Sequence, residues 1–378
     1  HKTGGSADYT TEIILQDSTV QKGKLCYGPK KYSTLFLVEV TSIYPETLAR
    51  LFDFVSSGGR VFCIGKYPEK APGFADYQER DEKVKQMVDK LKGFPDRFIL
   101  LEKPQDNRFL EWYGAVVKKY QIPHYLEIEQ PDRFVLQNRY QGDDKSEIFF
   151  FGNAHRYNPF LSKVTFSPEI VKGRYPWIWD PETGDRFRFE LKGNSFDLQL
   201  GPAESRLIVF SREKNGKLWQ PLLPAGPNLV NLEGPWQAEF RHSRENQVKS
   251  LEMEVLKDLK ETEMVNFTGT VIYRKKFEAS GMKSVILNLG QVYGVSEVLV
   301  NGKSCGVKWY GRRIYEITTL VQSGLNDLEI RVTTTMGNYM KTLTDNPTAQ
   351  KFTVLKTKDQ PIQSMGLVGP VTLYSFAK

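Results

Sequence analysis

The feature that most constrains this chain is a change of period near Pro131. Before it, apolar runs alternate with helical patterns. After it, short strands and turns follow one another almost to Lys378. Periods of 3.6 and of two bury different faces, so one uniform fold cannot serve both stretches. With 378 residues, the chain has room for two or three domains of roughly 100–200 residues each.

In the first stretch, "YSTLFLVEV" is rich in β-branched and aromatic residues and reads as a buried strand. "YPETLARLFDFVSSGG" follows with Pro45 in its first turn. Leu48, Leu51, Phe52 and Val55 fall at helical spacing, and Gly58-Gly59 stop the helix. "RVFCIG" is the next buried strand. The order strand, helix, strand predicts a parallel sheet covered by helices. "ERDEKVKQMVDKLKGF" predicts a second helix with Val84, Met87, Val88 and Leu91 inward, and "RFLEWYGAVVKKYQI" a third that ends before Pro123.

Beyond Pro131, "DRFVLQNRYQGDDKSEIFFFGNA" predicts two strands around a Gly-Asp-Asp turn. "SKVTFSP", "RFRFELKGNSFDLQLGP" and "SRLIVFSRE" continue this first β group. "WQPLLPAGPNLVNLEGP" is rich in Pro, Gly and Asn, which places a boundary near Asn228. "GPWQAEFRH" then opens a second β group. Within it, Asn301-Gly302 is a hairpin signal, because both central positions of a type I′ turn require φ > 0. "KSLEMEVLKDLKE" fits helix or strand. The expected architecture is thus multidomain: an α/β domain with a parallel sheet over residues 1–130, a β-sandwich over 131–228 and a β jelly roll over 229–378.

Lys and Arg exceed Asp and Glu by 52 to 45, a net charge of +7 spread thinly along the chain. No dense basic stripe or nucleic-acid motif accompanies it, so a nucleic-acid partner is not expected. No run approaches the ~18 apolar residues of a membrane span. Cys26, Cys63 and Cys305 are far apart, and His1, His124, His155 and His242 lie near neither one another nor a cysteine. Neither a disulfide framework nor a metal site is expected from them. "HKTGGSADYT" reads as a mid-chain linker, with further domains and targeting information expected upstream of it.

Cys63 is a candidate nucleophile because an α/β domain can carry one on a strained strand-to-helix elbow. Such an elbow needs small residues two positions before and after. Here those are Val61 and Gly65, and Cys63 lies inside the strand pattern, so a buried structural cysteine is expected. Glycoside chemistry needs two carboxyls across a sugar, one of them held protonated. Asp180 and Glu182 in "WIWDPETGDRF", like Asp143-Asp144, sit on turns and read as solvated turn formers. "NFT" at Asn266 is a glycosylation sequon only in a eukaryotic secretory setting.

Aromatic residues say more. Trp177, Trp179, Trp236, Trp309 and Tyr310 all fall at strand ends or turns, where a ring can either plug a sandwich core or stack on a sugar. Trp177 and Trp179 share a strand face by period two. In "KWYGRR", Trp309, Tyr310, Arg312 and Arg313 cluster at a Gly-containing turn; a carbohydrate-binding rim and a domain contact both fit them.

"GPWQAEF", "FTGTVIYRKKF", "VILNLGQVYGVSEVLVNGKSCGVKW", "GLNDLEIRVTT" and "SMGLVGPVTL" together resemble the galactose-binding-like jelly roll of glycoside hydrolases. The likeness is to the modules of family 2 and, more closely, to the C-terminal module of family 106 α-L-rhamnosidases. Upstream, "YSTLFLVEV" to "GKYP" is similar to the glutamine-amidotransferase-like domain of such enzymes, and "NRYQGDDKSEIFFFGN" to "SRLIVF" is similar to the β-sandwich that follows it. The resemblance implies a non-catalytic C-terminal portion of a bacterial α-L-rhamnosidase-like enzyme. The catalytic carboxylates and calcium site of that family sit on an upstream (β/α)8 barrel, so no catalytic residue, metal ligand or cofactor site is carried over to this chain. It further implies that barrel as a partner, possible contact with an oligo- or polysaccharide, and a periplasmic or extracellular location. An independent carbohydrate-binding module and an amidotransferase-like enzyme using Cys63 are the competing expectations.

Overall fold

A computed structural model describes residues 2–220, 228–280, 282–353 and 361–377. The chain divides into two compact units. One comprises His1–Arg133 with Val164–Glu169, the other Phe134–Lys163 with Ile170–Lys378.

The first unit is built on a three-stranded parallel sheet. Thr34–Val38 and Arg60–Ile64 pair with Thr34 opposite Arg60, and Arg60–Ile64 pairs with Phe98–Leu101 with Val61 opposite Phe98. Helix Pro45–Ser56 makes the first crossover, started by Pro45, whose fixed φ suits a first helical turn. Helix Tyr77–Lys92 makes the second, burying Val84, Val88 and Leu91 with Met87 partly covered beside them. Side chains alternate across the central strand. Val61 and Cys63 join the cluster of Leu48, Leu51 and Val88, whereas Phe62 joins Val116 of helix Phe109–Tyr120 on the other face. Both faces of the sheet are therefore covered, as a parallel sheet requires.

One inward residue differs from expectation: Phe54 is fully buried in helix Pro45–Ser56, while Phe52 is half-buried and meets Phe94 edge-on at 5.9 Å. Gly59 makes the room, since a Cβ there would lie 2.0 Å from the Phe54 ring. The unit also contains a short antiparallel sheet of Thr19–Gln21, Lys24–Tyr27 and Lys30–Tyr32, and Leu126–Ile128 paired with Val164–Phe166. Residues expected to be a linker run into helix Glu12–Asp17, capped by the Thr11 hydroxyl.

The second unit is mostly antiparallel strand. One five-stranded sheet runs in the order Arg186–Arg188, Tyr175–Trp179, Ser205–Ser211, Glu147–Asn153, Val135–Gln141. The last two form the expected hairpin, closed where the Gly142 N–H donates to the Ser146 carbonyl at 2.9 Å. Further along the chain, Val248–Met253, Trp236–His242, Gly269–Glu278, Leu325–Thr333, Val295–Val300 and Lys303–Lys308 make a six-stranded sheet. Asn228–Asn231, Thr372–Ala377, Met282–Asn288 and Ile314–Glu316 make a four-stranded one.

A single apolar cluster fills this second pair of sheets. Period two sets it: Val271 opposite Val332 and Tyr273 opposite Ile330 all point inward. Tyr273 remains satisfied there, because its hydroxyl accepts from the Leu367 N–H at 3.2 Å. Burial pushes its phenol well above the usual range. On the outer face Arg274 bridges Glu239 and Glu329 at 2.9 and 2.8 Å, and Arg331 continues to Glu297 at 3.2 Å. Such cross-strand pairs suit a wet face.

"KSLEMEVLKDLKE" resolves as edge strand Val248–Met253 followed by a 3₁₀ turn, Leu259–Glu261. Pairing with Trp236–His242 decides this, since a partner strand outweighs a mixed local pattern. The Asn301-Gly302 turn is a tight hairpin with φ +50° and +76°. The boundary expected near Asn228 adjoins residues 221–227, which lie outside the described residues.

Candidate functional site

A cavity of about 740 Å³ opens within the second unit, between the five-stranded sheet and the segment that follows strand Lys303–Lys308. That is within the size range of small-ligand sites, roughly 300–1,000 Å³.

Trp179, at the end of strand Tyr175–Trp179, forms part of one wall. The guanidinium of Arg186 covers its ring at 4.3 Å. The chain then turns because the Asp180 carboxylate accepts from the N–H groups of Glu182 and Thr183, at 2.8 and 3.3 Å. Asp180 is thus the turn former expected, but the turn also presents Glu182 to the cavity.

Glu204 forms the centre of a charged group. Its carboxylate accepts from the Gly201 N–H at 2.6 Å and from Arg206 at 2.9 Å. It also accepts from Arg312 Nε at 3.1 Å. A side chain at Gly201 would meet Arg312 Cγ at 2.5 Å, so that position needs a glycine for the approach. Burial pulls the Arg206 guanidinium down from its usual value, and Glu204 opposes the shift. The same guanidinium lies over Trp219 at 5.4 Å.

Trp309 and Tyr310 project from the opposite wall. Trp309 is 65% exposed and meets the Tyr310 ring at 4.7 Å and 68°. The Tyr310 phenol is pushed up to about 12, first by burial and then by the nearby Glu182 carboxylate. Tyr310 therefore stays a neutral donor across the physiological range.

Of the four residues expected at a rim, Trp309, Tyr310 and Arg312 line this cavity. Arg313 does not. It is buried at 7% exposure and donates to the carbonyls of Gly311 and Gly294 at 3.0 and 3.2 Å, a structural arrangement. Trp177 and Trp236 are core residues, at 3% and 1%. Trp177 Nε1 donates to the Glu213 carbonyl at 3.1 Å. Glu204, Arg206 and Trp219 carried no signal in the sequence, because nothing in their spacing announces an approach to Arg312.

Cys63 is fully buried in its strand, in register with Leu37 and Leu100. Burial pushes its thiol up to about 12. That disfavours the thiolate a nucleophile requires. Among the described residues, no group of three or more His, Cys, Asp or Glu side chains is placed to hold a metal ion. No described helix is long and apolar enough to cross a membrane.

No family model matches the chain. Over 213 residues it is 30% identical to the "Putative beta-glucuronidase" of Formosa agariphila, covering 53% of this chain and 17% of that protein. Its structure aligns with that of a rhamnosidase from Novosphingobium sp. PP1Y at a TM-score of 0.64 and 22% identity, over 97% of this chain and 36% of the rhamnosidase. The chain thus spans well under half the length of either protein, and its β-rich, multi-sheet fold is similar to that of the aligned segment of the rhamnosidase.

Proposed function

We propose that this chain is a non-catalytic region of an α-L-rhamnosidase-like glycoside hydrolase, and that the cavity of its second unit contacts glycan. The observation that carries this reading is the alignment of 97% of the chain onto about a third of a rhamnosidase. In the proposed arrangement the first unit is the amidotransferase-like module, and the second combines the β-sandwich with the galactose-binding-like jelly roll. A catalytic barrel elsewhere in the same polypeptide supplies the chemistry.

The carboxylates of the cavity support a non-catalytic role. Glycoside hydrolysis requires one carboxyl to protonate the leaving oxygen and another to attack or to activate water. Glu204 is engaged by two guanidinium groups and a backbone N–H. That carboxylate is thus held in structural hydrogen bonds rather than left free to attack or to protonate. The exposed indole of Trp309 favours the second reading, an independent carbohydrate-binding protein, to the extent that the chain binds sugar alone.

The test is turnover of aryl α-L-rhamnoside and related aryl glycosides by the chain. None is expected. Turnover that disappears in Glu182→Gln or Glu204→Gln would overturn the non-catalytic reading.

A further inference from the structure

The charges lining the cavity specify more than glycan in general. Five carboxylates line it, from Asp180, Glu182, Asp197, Glu204 and Glu316, against four cations, from Arg206, Lys217, Lys308 and Arg312. The whole chain carries +7, yet this lining sums to one net negative charge. A site built for an acidic sugar would show the opposite excess.

Two of the cations are already paired. Arg206 and Arg312 both donate to Glu204, at 2.9 and 3.1 Å. Arg312 spends its Nε and a terminal N–H on the two oxygens of that one carboxylate, at 3.1 and 3.5 Å, so the fork that would recognise a carboxylate or sulfate by two parallel hydrogen bonds is already occupied there. To bind a uronate there, Glu204 would have to lose a partner, leaving a poorly hydrated charge uncompensated. The Lys217 and Lys308 ammonium groups lie over the rings of Phe187 and Tyr315, at 5.4 and 5.6 Å.

A guanidinium beside a carboxylate does suit a hydroxyl, which can accept from one and donate to the other. Tyr310 and Glu182 line the same cavity and add a phenol and a carboxylate to it. Trp309 adds an apolar ring with no cation over it among the described residues, open to the C–H face of a sugar.

We infer that the cavity takes a neutral saccharide, with Trp309 as the stacking surface and the Glu204–Arg312 pair, together with Tyr310 and Glu182 of the lining, reading hydroxyl groups, and that it discriminates against uronates. This rests on the glycan reading of the cavity given above.

The experiment is a titration of the whole chain with methyl α-L-rhamnopyranoside, cellobiose and methyl β-D-glucuronide, followed by tryptophan fluorescence and ligand-observed NMR. At least one neutral sugar is expected to bind with Kd on the order of 0.1–1 mM, and the glucuronide at least ~10-fold more weakly. Trp309→Ala should weaken the neutral sugar ~10-fold or more with an unchanged circular dichroism spectrum. Glu204→Gln should narrow the preference by freeing guanidinium groups for the glucuronide. Equal or tighter binding of the glucuronide by the native chain would overturn the neutral-sugar inference and leave the glycan reading standing. Binding unaffected by Trp309→Ala would remove the sugar from this cavity. Failure of all three sugars would overturn both readings.

Discussion

The parallel sheet of the first unit and the cavity of the second both hold side chains that chemistry could use, and they treat them in opposite ways. In the sheet, Cys63 sits on the central strand, flanked in register by Leu37 and Leu100, at 0% exposure. In the cavity, Glu182, Arg312 and Trp309 stand around open space, each with some hydrogen-bonding or stacking capacity left. Access and satisfaction separate the two regions, more than residue type. A dry apolar layer makes a thiol a small hydrophobe, whereas partly paired charges beside an exposed ring make a surface that can bind.

The largest expected effect comes from forcing a charge into the drier region. Cys63→Asp places a carboxylate where no partner is at hand, and should cost about 3–5 kcal/mol. Urea denaturation followed by circular dichroism reads this directly. A cost below about 1 kcal/mol would mean that the strand admits water, and the contrast with the cavity would dissolve.

Glu204→Gln is the corresponding change in the cavity. It leaves Arg206 and Arg312 without their countercharge, while the side chains remain partly solvated, at 17% and 30% exposure. The expected loss is about 2 kcal/mol, the size of a charge-assisted hydrogen bond with its desolvation term. Because Glu204 and Arg312 are far apart in sequence, a double-mutant cycle with Arg312→Gln should show coupling. Additive losses would show that the contact contributes nothing to stability.

A smaller effect follows from the raised thiol. Below about pH 9 the Cys63 side chain is neutral in both folded and unfolded states. Between about 9 and about 12 the unfolded chain releases the proton and the folded chain retains it. Stability should therefore fall as pH rises through that window, by about 1 kcal/mol at pH 10. Cys63→Ala should remove this part of the slope, so the difference between the two stability profiles isolates the thiol from the tyrosines. At pH 8, labelling of Cys63 should wait for unfolding. Prompt labelling of the native chain would reopen the amidotransferase-like enzyme reading.

Much of what separates the regions could be read before any coordinates, and the remainder could not, for identifiable reasons. The strand–helix–strand order survives because Pro45, the apolar spacing and Gly58-Gly59 all act locally. The Asn301-Gly302 hairpin is legible for the same reason: two positive φ angles are required by two adjacent residues. Phe54 displaced Phe52 because a glycine outside the helix, Gly59, decides which ring fits. Arg312 and Arg313 are neighbours of identical type, yet one reaches Glu204 and the other bonds backbone carbonyls. Successive side chains on extended backbone point to opposite sides, and which side is wet depends on the neighbouring sheet. The Glu204–Arg206–Arg312 group belongs to the same class, since long-range approach leaves no mark in spacing.

The smallest stability effect tests the comparison most directly. Trp309 and Trp236 lie in the same unit at 65% and 1% exposure. Trp236→Ala would remove a buried indole, at a cost of about 3–5 kcal/mol. Trp309→Ala should shift stability by no more than about 0.5 kcal/mol, because the ring is largely hydrated and its packing partner is the edge of Tyr310. A ring that size, so exposed, would then lack a folding explanation, and its place at the cavity fits the proposed binding role. If Trp309→Ala instead destabilised the chain as much as Trp236→Ala, the ring would be a structural wedge, and the cavity would lose its stacking surface.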